Sequence, residues 1–461
     1  MMRTIIQDYT TGSIPRKLLL YSVPFMLANG LQVFYSLVDM LIVGRYMGSY
    51  ALSAVSVSSQ IVVTVTMFCT GFAQAGQVLI AHLIGQKRQA MLGAAVGTLC
   101  TVMLLLAVVT TAGLVLFRGQ LLQLVQTPSE AYEMALEYLT ICGAGIGVTF
   151  AYNTAAAVLR GMGDSLHPLV FILIATVVNT ALDFLLVAGV HWGVRGVAVA
   201  TVLGQTVSVL TAVWFLCRRR HEIGLSIQSF GMEPTAAKEI LRMGIPFALQ
   251  SGVINLSMTF VGALANMVSV SASTVYGIGI KLDDVVIKVT QGILYSVSFF
   301  VGQNVAAGEI RRVKQAVCWG WIYSLAGYLV VLVLYLTEAT WLFSLFTQDV
   351  QTISMAPLFT YAIVWCFPAL ILMRGVLGLI QGIGNARLSF ILGFMDGVFR
   401  VACSFFFGIE LRMGLFGYVL GYGLAAYAIA LPGLIYFLSG KWEHFQRLER
   451  KKMNQETSKT G

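Results

Sequence analysis

The sequence predicts an all-α integral membrane protein, with twelve transmembrane helices in two six-helix lobes related by a pseudo-two-fold axis along the membrane normal. Composition, the spacing of the apolar runs and an internal repeat carry that prediction. The chain has 461 residues, 58% of them hydrophobic and 11% charged, and a mean hydropathy of +0.83. Soluble domains carry about 25% charged residues, so these few charges cannot coat a surface in water and lipid must be the main solvent. Crossing the hydrocarbon as a helix takes about 20 mostly apolar residues, and as a barrel strand about half that. The runs fall at 18–43, 53–80, 93–117, 131–158, 168–189, 196–217, 244–268, 272–301, 315–336, 352–378, 389–408 and 414–438, long enough to be helices. No short apolar core with a small-residue cleavage site precedes Leu18, so the first run reads as a true span.

The repeat appears when the halves are slid by 221 to 223 residues. Ser22-Val-Pro-Phe25 then faces Gly244-Ile-Pro-Phe247, Gly85-Gln-Lys-Arg88 faces Gly308-Glu-Ile-Arg311, and Gly196 faces Gly417. Arg160-Gly-Met-Gly-Asp164 faces Gln381-Gly-Ile-Gly-Asn385. Matches in one order at nearly one offset indicate a six-plus-six duplication, and because six is even both copies share an orientation. The expected organisation is an N-terminal segment 1–17, an N-lobe 18–217, a connector 218–243, a C-lobe 244–438 and a tail 439–461. Twelve spans put both termini on one side, which holds 21 lysines and arginines against Arg45, Arg118, Arg195 and Arg412 opposite. By the positive-inside rule that side is cytoplasmic, in the cell (inner) membrane.

The same pattern excludes other classes. The net charge of +9 is distributed between apolar runs and at the C-terminus, not on one face, so it speaks for membrane orientation and against nucleic acid. All seven cysteines lie inside or at the edge of apolar runs, with neither CxxC nor Cys/His spacing, and read as free thiols. An enzyme finds little support: the five histidines stand singly in or near loops or the tail, and neither HExxH nor GxSxG occurs. Val419-Leu-Gly-Tyr-Gly423 faintly echoes a channel filter but sits inside an apolar span, where it reads as helix packing. No cofactor, nucleic acid or obligate protein partner is implied; the expected partners are a small-molecule drug or metabolite and lipid.

Ionisable side chains inside spans are costly and mark function by default. Asp39 lies in span 1, five residues before an expected outer turn at Gly44; Asp183 lies in span 5, six before Gly189; and Asn179 is one turn deeper on the same face. Thr201 lies five residues into span 6. At 1.5 Å per residue all but Asn179 sit roughly 7 to 9 Å from the outer ends, matched well enough to share one site. Two neighbouring buried carboxylates are suited to exchanging a proton. The plainer alternative is a pair of helix-locking polar contacts.

These residues carry a resemblance. Ile14-Pro-Arg-Lys17 to Pro24 ahead of Val38-Asp39-Met40, Arg160-Gly-Met-Gly-Asp164, Asn179-Thr-Ala-Leu-Asp183-Phe184, Gly196-Val-Ala-Val-Ala-Thr201 and Gly302-Gln-Asn-Val-Ala-Ala-Gly308 stand in order. The chain thereby resembles the multidrug and toxic compound extrusion (MATE) transporters over essentially its whole length. The resemblance implies an antiporter that exports lipophilic, often cationic drugs or metabolites in exchange for protons or sodium by alternating access of two lobes. It also implies an N-lobe ion site at Asp39, Asn179, Asp183 and Thr201, the one place where sodium would bind, and bending of the first helix at Pro24. Ala306 departs from the glycine usual in its segment. Spans 7 and 10 lack the acids some members use, which speaks against a sodium site in the second lobe.

The second half carries Lys281, Asp283, Asp284 and Lys288 in span 8 and Asp396 with Arg400 in span 11, which resembles a bacterial DinF-like and NorM-like branch. With Tyr35 these are candidate cavity-lining residues. Asp284 to Lys288 and Asp396 to Arg400 are i,i+4 pairs, so each alternatively neutralises itself along its helix. Arg400 occupies the repeat position of Asn179, and Arg374 is expected to snorkel toward the cytoplasmic end of span 10. Aromatic residues such as Phe68, Tyr152, Phe260, Tyr276, Tyr295, Phe299 and Phe300 read mainly as packing or lipid-facing. A lipid-linked sugar or lipid flippase of the same broad superfamily is the alternative function; such flippases often carry more cations than Lys281, Lys288 and Arg400.

Overall fold

Helix is the only regular structure among the described residues, 5–445 of the computed structural model. Twelve helices are long and apolar enough to cross a membrane: α1 (Ile14–Gly48), α2 (Tyr50–Gly85), α3 (Gln89–Leu116), α4 (Ser129–Gly161), α5 (Leu166–Gly189), α6 (Gly193–Arg218), α7 (Pro234–Asn266), α8 (Ser271–Ala307), α9 (Ile310–Thr337), α10 (Val350–Gly382), α11 (Ala386–Glu410) and α12 (Gly414–Leu438). Leu41, Leu104, Val109, Leu256 and Leu438 are among many exposed large apolar side chains, an arrangement that is stable only in lipid. The chain is an integral membrane protein.

Several helix ends overrun the expected spans, α2 and α8 by five and six residues at their C-terminal ends and α9 by five at its start, and two of the differences have a visible local cause. Helix α1 continues past residue 43, because nothing breaks its backbone until Gly48, whose φ of 81° turns the chain into α2. Asp39 is therefore nine residues from its helix end, about 14 Å at 1.5 Å per residue, deeper than a turn at Gly44 implies. Helix α7 starts at Pro234, ten residues before the expected span. Proline suits a first turn, and Glu233 accepts the free N–H groups of Thr235 (3.0 Å) and Ala236 (2.6 Å).

The duplication is written into the backbone. Left-handed residues recur 221 apart: Lys87 and Gly308, Gly163 and Gly384, His191 and Arg412, Gly193 and Gly414. Helices α5 and α11 both end in a π-helical turn, Phe184–Gly189 and Phe406–Glu410. The repeated Gly-x-Gly-Asp/Asn motif has a local cause. Gly163 (φ 94°) reverses the chain after α4, and Asp164 Oδ1 then accepts the N–H groups of Leu166 and His167, both at 3.1 Å, to cap α5. Asn385 caps α11 the same way, accepting Leu388 N–H at 3.2 Å.

The described residues divide into two compact units: Val23–Ala248 with residues 5–8, and Tyr9–Ser22 with residues 249–445. In the first, α6 packs on α5 and α4, and α4 on α3; in the second, α10 packs on α8, α9 and α12, and α11 on α12. Val419-Leu-Gly-Tyr-Gly423 is helix, and a Cβ at Gly421 would lie 2.3 Å from the Ser404 nitrogen, so this segment is a close helix crossing. All seven cysteines are free.

The segment Tyr9–Ser22 explains Gly302-Gln-Asn304. Gln303 Oε1 accepts the Tyr9 N–H at 2.9 Å, and Arg312 donates to the carbonyls of Tyr9 (3.0 Å), Thr11 (3.1 Å) and Gly12 (2.9 Å). Asn304 Oδ1 orients that guanidinium by accepting its Nε–H at 2.9 Å, and Tyr21, Phe299 and Phe300 surround the Tyr9 ring. Of the tail, Trp442 is buried and Lys314 pairs with Glu443 at 2.9 Å; the remainder, from 446, and residues 1–4 lie outside the described residues.

Candidate functional site

The acidic residues of the first unit converge. Asp39 on α1 and Asp183 on α5 are interacting neighbours, with Tyr35 one turn from Asp39, Asn179 one turn from Asp183, and Thr201 of α6 beside Tyr35. Asn179 and Asp183 are within 1% of fully buried, Asp39 is 8% exposed, and Tyr35 and Thr201 are partly buried. Close approach of α6 brings this about: a Cβ at Gly204 would stand 2.8 Å from Asn179 Cβ and 3.0 Å from the Ala175 carbonyl. Thr201 donates its hydroxyl to the Val197 carbonyl at 2.9 Å, so only its lone pairs are left for the site.

What the site lacks defines its chemistry. Asp39 Oδ1, both Asp183 carboxyl oxygens, both Asn179 amide atoms and the Tyr35 hydroxyl are buried without a hydrogen bond of ordinary geometry, although Tyr35 approaches Asp39 and Thr201, and Asn179 approaches Asp183. Two facing carboxylates each offer only lone pairs, so no hydrogen bond forms between them until one is protonated. Among the described residues no lysine, arginine or histidine acts on either acid. Leaving such groups unmet costs several kcal/mol each in an idealised apolar medium, so the centre calls for a proton or a small cation. Carboxylate, amide and hydroxyl oxygens form a hard donor set, which sodium also accepts.

Two residues of this centre escape sequence reasoning. Tyr138 and Cys142 of α4 lie one turn apart against Tyr35 and Asp39, and Ser59 donates to the Tyr138 hydroxyl at 3.2 Å. The i,i+4 spacing of a tyrosine and a cysteine is the only signal in the sequence, and it does not stand out among 18 tyrosines. Pro24 sits inside α1, whose dihedrals stay helical on both sides of it; the single break in the run to Gly85 is at Gly48. The boundary between the two units falls beside it, between Ser22 and Val23.

In the second unit the charges of α8 part company. Asp283 is buried, whereas Lys281 is exposed and Asp284 pairs with Lys288 at 3.0 Å, both half-exposed. Asp396 and Arg400 form a buried pair at 2.6 Å, and Arg400 also donates to the Tyr422 carbonyl at 3.1 Å. Arg374 does not snorkel: it is 3% exposed and donates to the Ile287 carbonyl (3.3 Å) and the Tyr328 hydroxyl (3.4 Å). Eight residues from the helix end at Gly382, the side chain turns inward, where the α8 carbonyl and the α9 phenol are nearer than water.

A polytopic helical membrane protein made of two homologous halves is the class defined by this framework. Comparison with known proteins makes it particular: the MatE family model matches residues 24–185 and again 243–406, and the chain belongs to that family. Among its relatives, the probable multidrug resistance protein YpnP of Bacillus subtilis is 27% identical over 437 residues, covering 95% of this chain and 97% of that protein. The probable multidrug resistance protein NorM of Thermotoga maritima is 26% identical over 453 residues, 96% of each. An outward-facing multidrug resistance MATE transporter structure superposes with a TM-score of 0.89 at 20% identity, covering 98% of this chain and all of that one, a likeness of fold.

Proposed function

We propose that this protein is a secondary antiporter that exports small lipophilic, often cationic drugs or metabolites from the cytoplasm in exchange for an inward proton or sodium ion. The two lobes alternate access, and both termini lie in the cytoplasm. Supporting the reading are the family membership, the multidrug names of the full-length relatives, and one observation above all: two neighbouring buried acids on different helices on which, among the described residues, no basic side chain acts. Ion and drug compete through that centre. From outside, the ion reaches Asp39 and Asp183, removes their mutual repulsion, lets α1 rearrange near Pro24 and weakens drug binding; release inside resets the carrier.

The energetics suffice. A hundredfold outward gradient costs about 2.7 kcal/mol, while an entering proton yields about 1.4 kcal/mol per pH unit and about 2.3 per 100 mV. A neutral drug exchanged for one proton is therefore driven by both terms, and a monovalent cation by the pH gradient alone. The test is efflux of a fluorescent lipophilic cation such as ethidium from cells expressing each variant. Asp39→Asn and Asp183→Asn should each abolish efflux at undiminished membrane expression. Efflux at the wild-type rate in both removes the assignment.

A further inference from the structure

The second unit holds a buried polar centre at the place where the first holds its acids, with the opposite polarity. By the 221-residue repeat Arg400 stands where Asn179 does, and Tyr422 where Thr201 does. Around them gather Tyr276 and Asp283 of α8, Tyr328 and Tyr335 of α9, Cys366 and Arg374 of α10, and Asp396 of α11. Asp283, Arg374, Asp396 and Arg400 are all at least nine-tenths buried. Five buried atoms of this centre have no hydrogen-bond partner: the Nε of Arg374 and of Arg400, the hydroxyls of Tyr276 and Tyr335, and Asp283 Oδ1. Four of the five can donate. No ion pair joins Asp283 to either arginine; its one hydrogen bond is from the Tyr422 hydroxyl at 3.5 Å.

Surplus donors around two guanidinium groups call for acceptors carrying negative charge. We infer that this centre is a binding site for a single anionic acceptor group, either a free small anion or the carboxylate of a transported molecule, held by Arg374, Arg400, Tyr276 and Tyr335. Charge balance then assigns a role to Asp283. Arg400 is neutralised by Asp396, so an ionised Asp283 offsets Arg374 and the centre is neutral; an added anion leaves it negative. With a proton on Asp283 the centre is positive and the anion neutralises it. Anion and proton therefore bind together. The groups facing Asp283 are Arg374, Arg400, Tyr276, Tyr335, Tyr422 and Cys366, with Asp284 beside it on α8.

The inference involves none of the first unit's residues, and only its cargo-carboxylate form rests on the proposed antiport. Its test is thermal unfolding of the purified protein titrated with potassium nitrate or potassium benzoate, osmolality being held constant with sucrose, from pH 5 to 9. The wild type should show saturable stabilisation whose affinity weakens by up to about tenfold per pH unit as pH rises, the signature of one linked proton. Asp283→Asn, which fixes the neutral form, should bind at every pH without that slope. Arg374→Gln and Tyr335→Phe should each raise the dissociation constant, the former at least tenfold. Saturation by both salts supports a free anion, and by benzoate alone a cargo carboxylate. No saturable stabilisation at any pH, an unaltered slope in Asp283→Asn, or unchanged affinity in Arg374→Gln and Tyr335→Phe would overturn it.

Discussion

At the scale of single residues, the informative feature is polar atoms left unmet inside lipid-solvated helices. Asp39 and Asp183 face each other with three of their oxygens buried and unpartnered. Replacing either by asparagine removes a charge, supplies N–H donors and imitates the protonated acid. Asp39→Asn should therefore raise the unfolding midpoint above pH 7 by a few degrees while ending transport, read by thermal denaturation beside efflux; about 1 kcal/mol moves the midpoint of a 150–250-residue domain by 2–4 °C. Gly204→Val should act the other way. A Cβ there collides with Asn179 and the Ala175 carbonyl, and overpacking of this kind costs about 1–3 kcal/mol, visible as a lowered midpoint with ion coupling impaired. The acids were legible in the sequence because a charge in an apolar run has few uses. Tyr138, Cys142 and Arg374 were not: aromatic and thiol side chains are ordinary in spans, and the direction an arginine turns depends on which neighbouring carbonyls are in reach.

At the scale of elements, helix ends are where sequence and structure agree and where they part. The Gly163-Asp164 and Gly384-Asn385 motifs mark starts of α5 and α11 that periodicity alone blurs, because each pairs a left-handed reversal with a capping side chain. Asp164→Ala and Asn385→Ala should each cost about 1 kcal/mol of stability, checked by thermal unfolding. The end of α1 was misplaced because Gly44 reads as a turn residue, yet its backbone is helical and Gly48 makes the turn. The N-terminal segment had no legible partner, since Gln303, Asn304 and Arg312 lie some 300 residues away and a single sequence does not pair them. Arg312→Ala should release Tyr9–Gly12, seen as a rise in amide exchange of those residues with the helices unaffected.

At the scale of the whole molecule, composition and periodicity gave the solvent, the helix count and the duplication, because lipid leaves few solutions for satisfying a backbone. The cytoplasmic placement proposed for the termini rests on the distribution of basic residues, and one contact of the loop after α6 has its own pH response. Glu222 is partly buried, which pushes its pKa up, but Arg219 at 2.6 Å and the Ile5 N–H at 3.0 Å outweigh that and hold it below the usual glutamate value. A carboxylate depressed on folding stabilises above its unfolded value of 4.5, and that contribution is lost as pH falls through the lower folded value. Exchange protection of the Ile5 amide should accordingly hold from neutral pH down to about 4.5 and fall below it, and Glu222→Gln should flatten that response.

The most direct test of the shared acidic centre is ion movement driven by a drug gradient in proteoliposomes, with internal pH and sodium followed separately under an imposed ethidium gradient. In the wild type one of the two ions should move against the drug, and in Asp39→Asn and Asp183→Asn neither should move. Ion flux of wild-type size in both variants would contradict it.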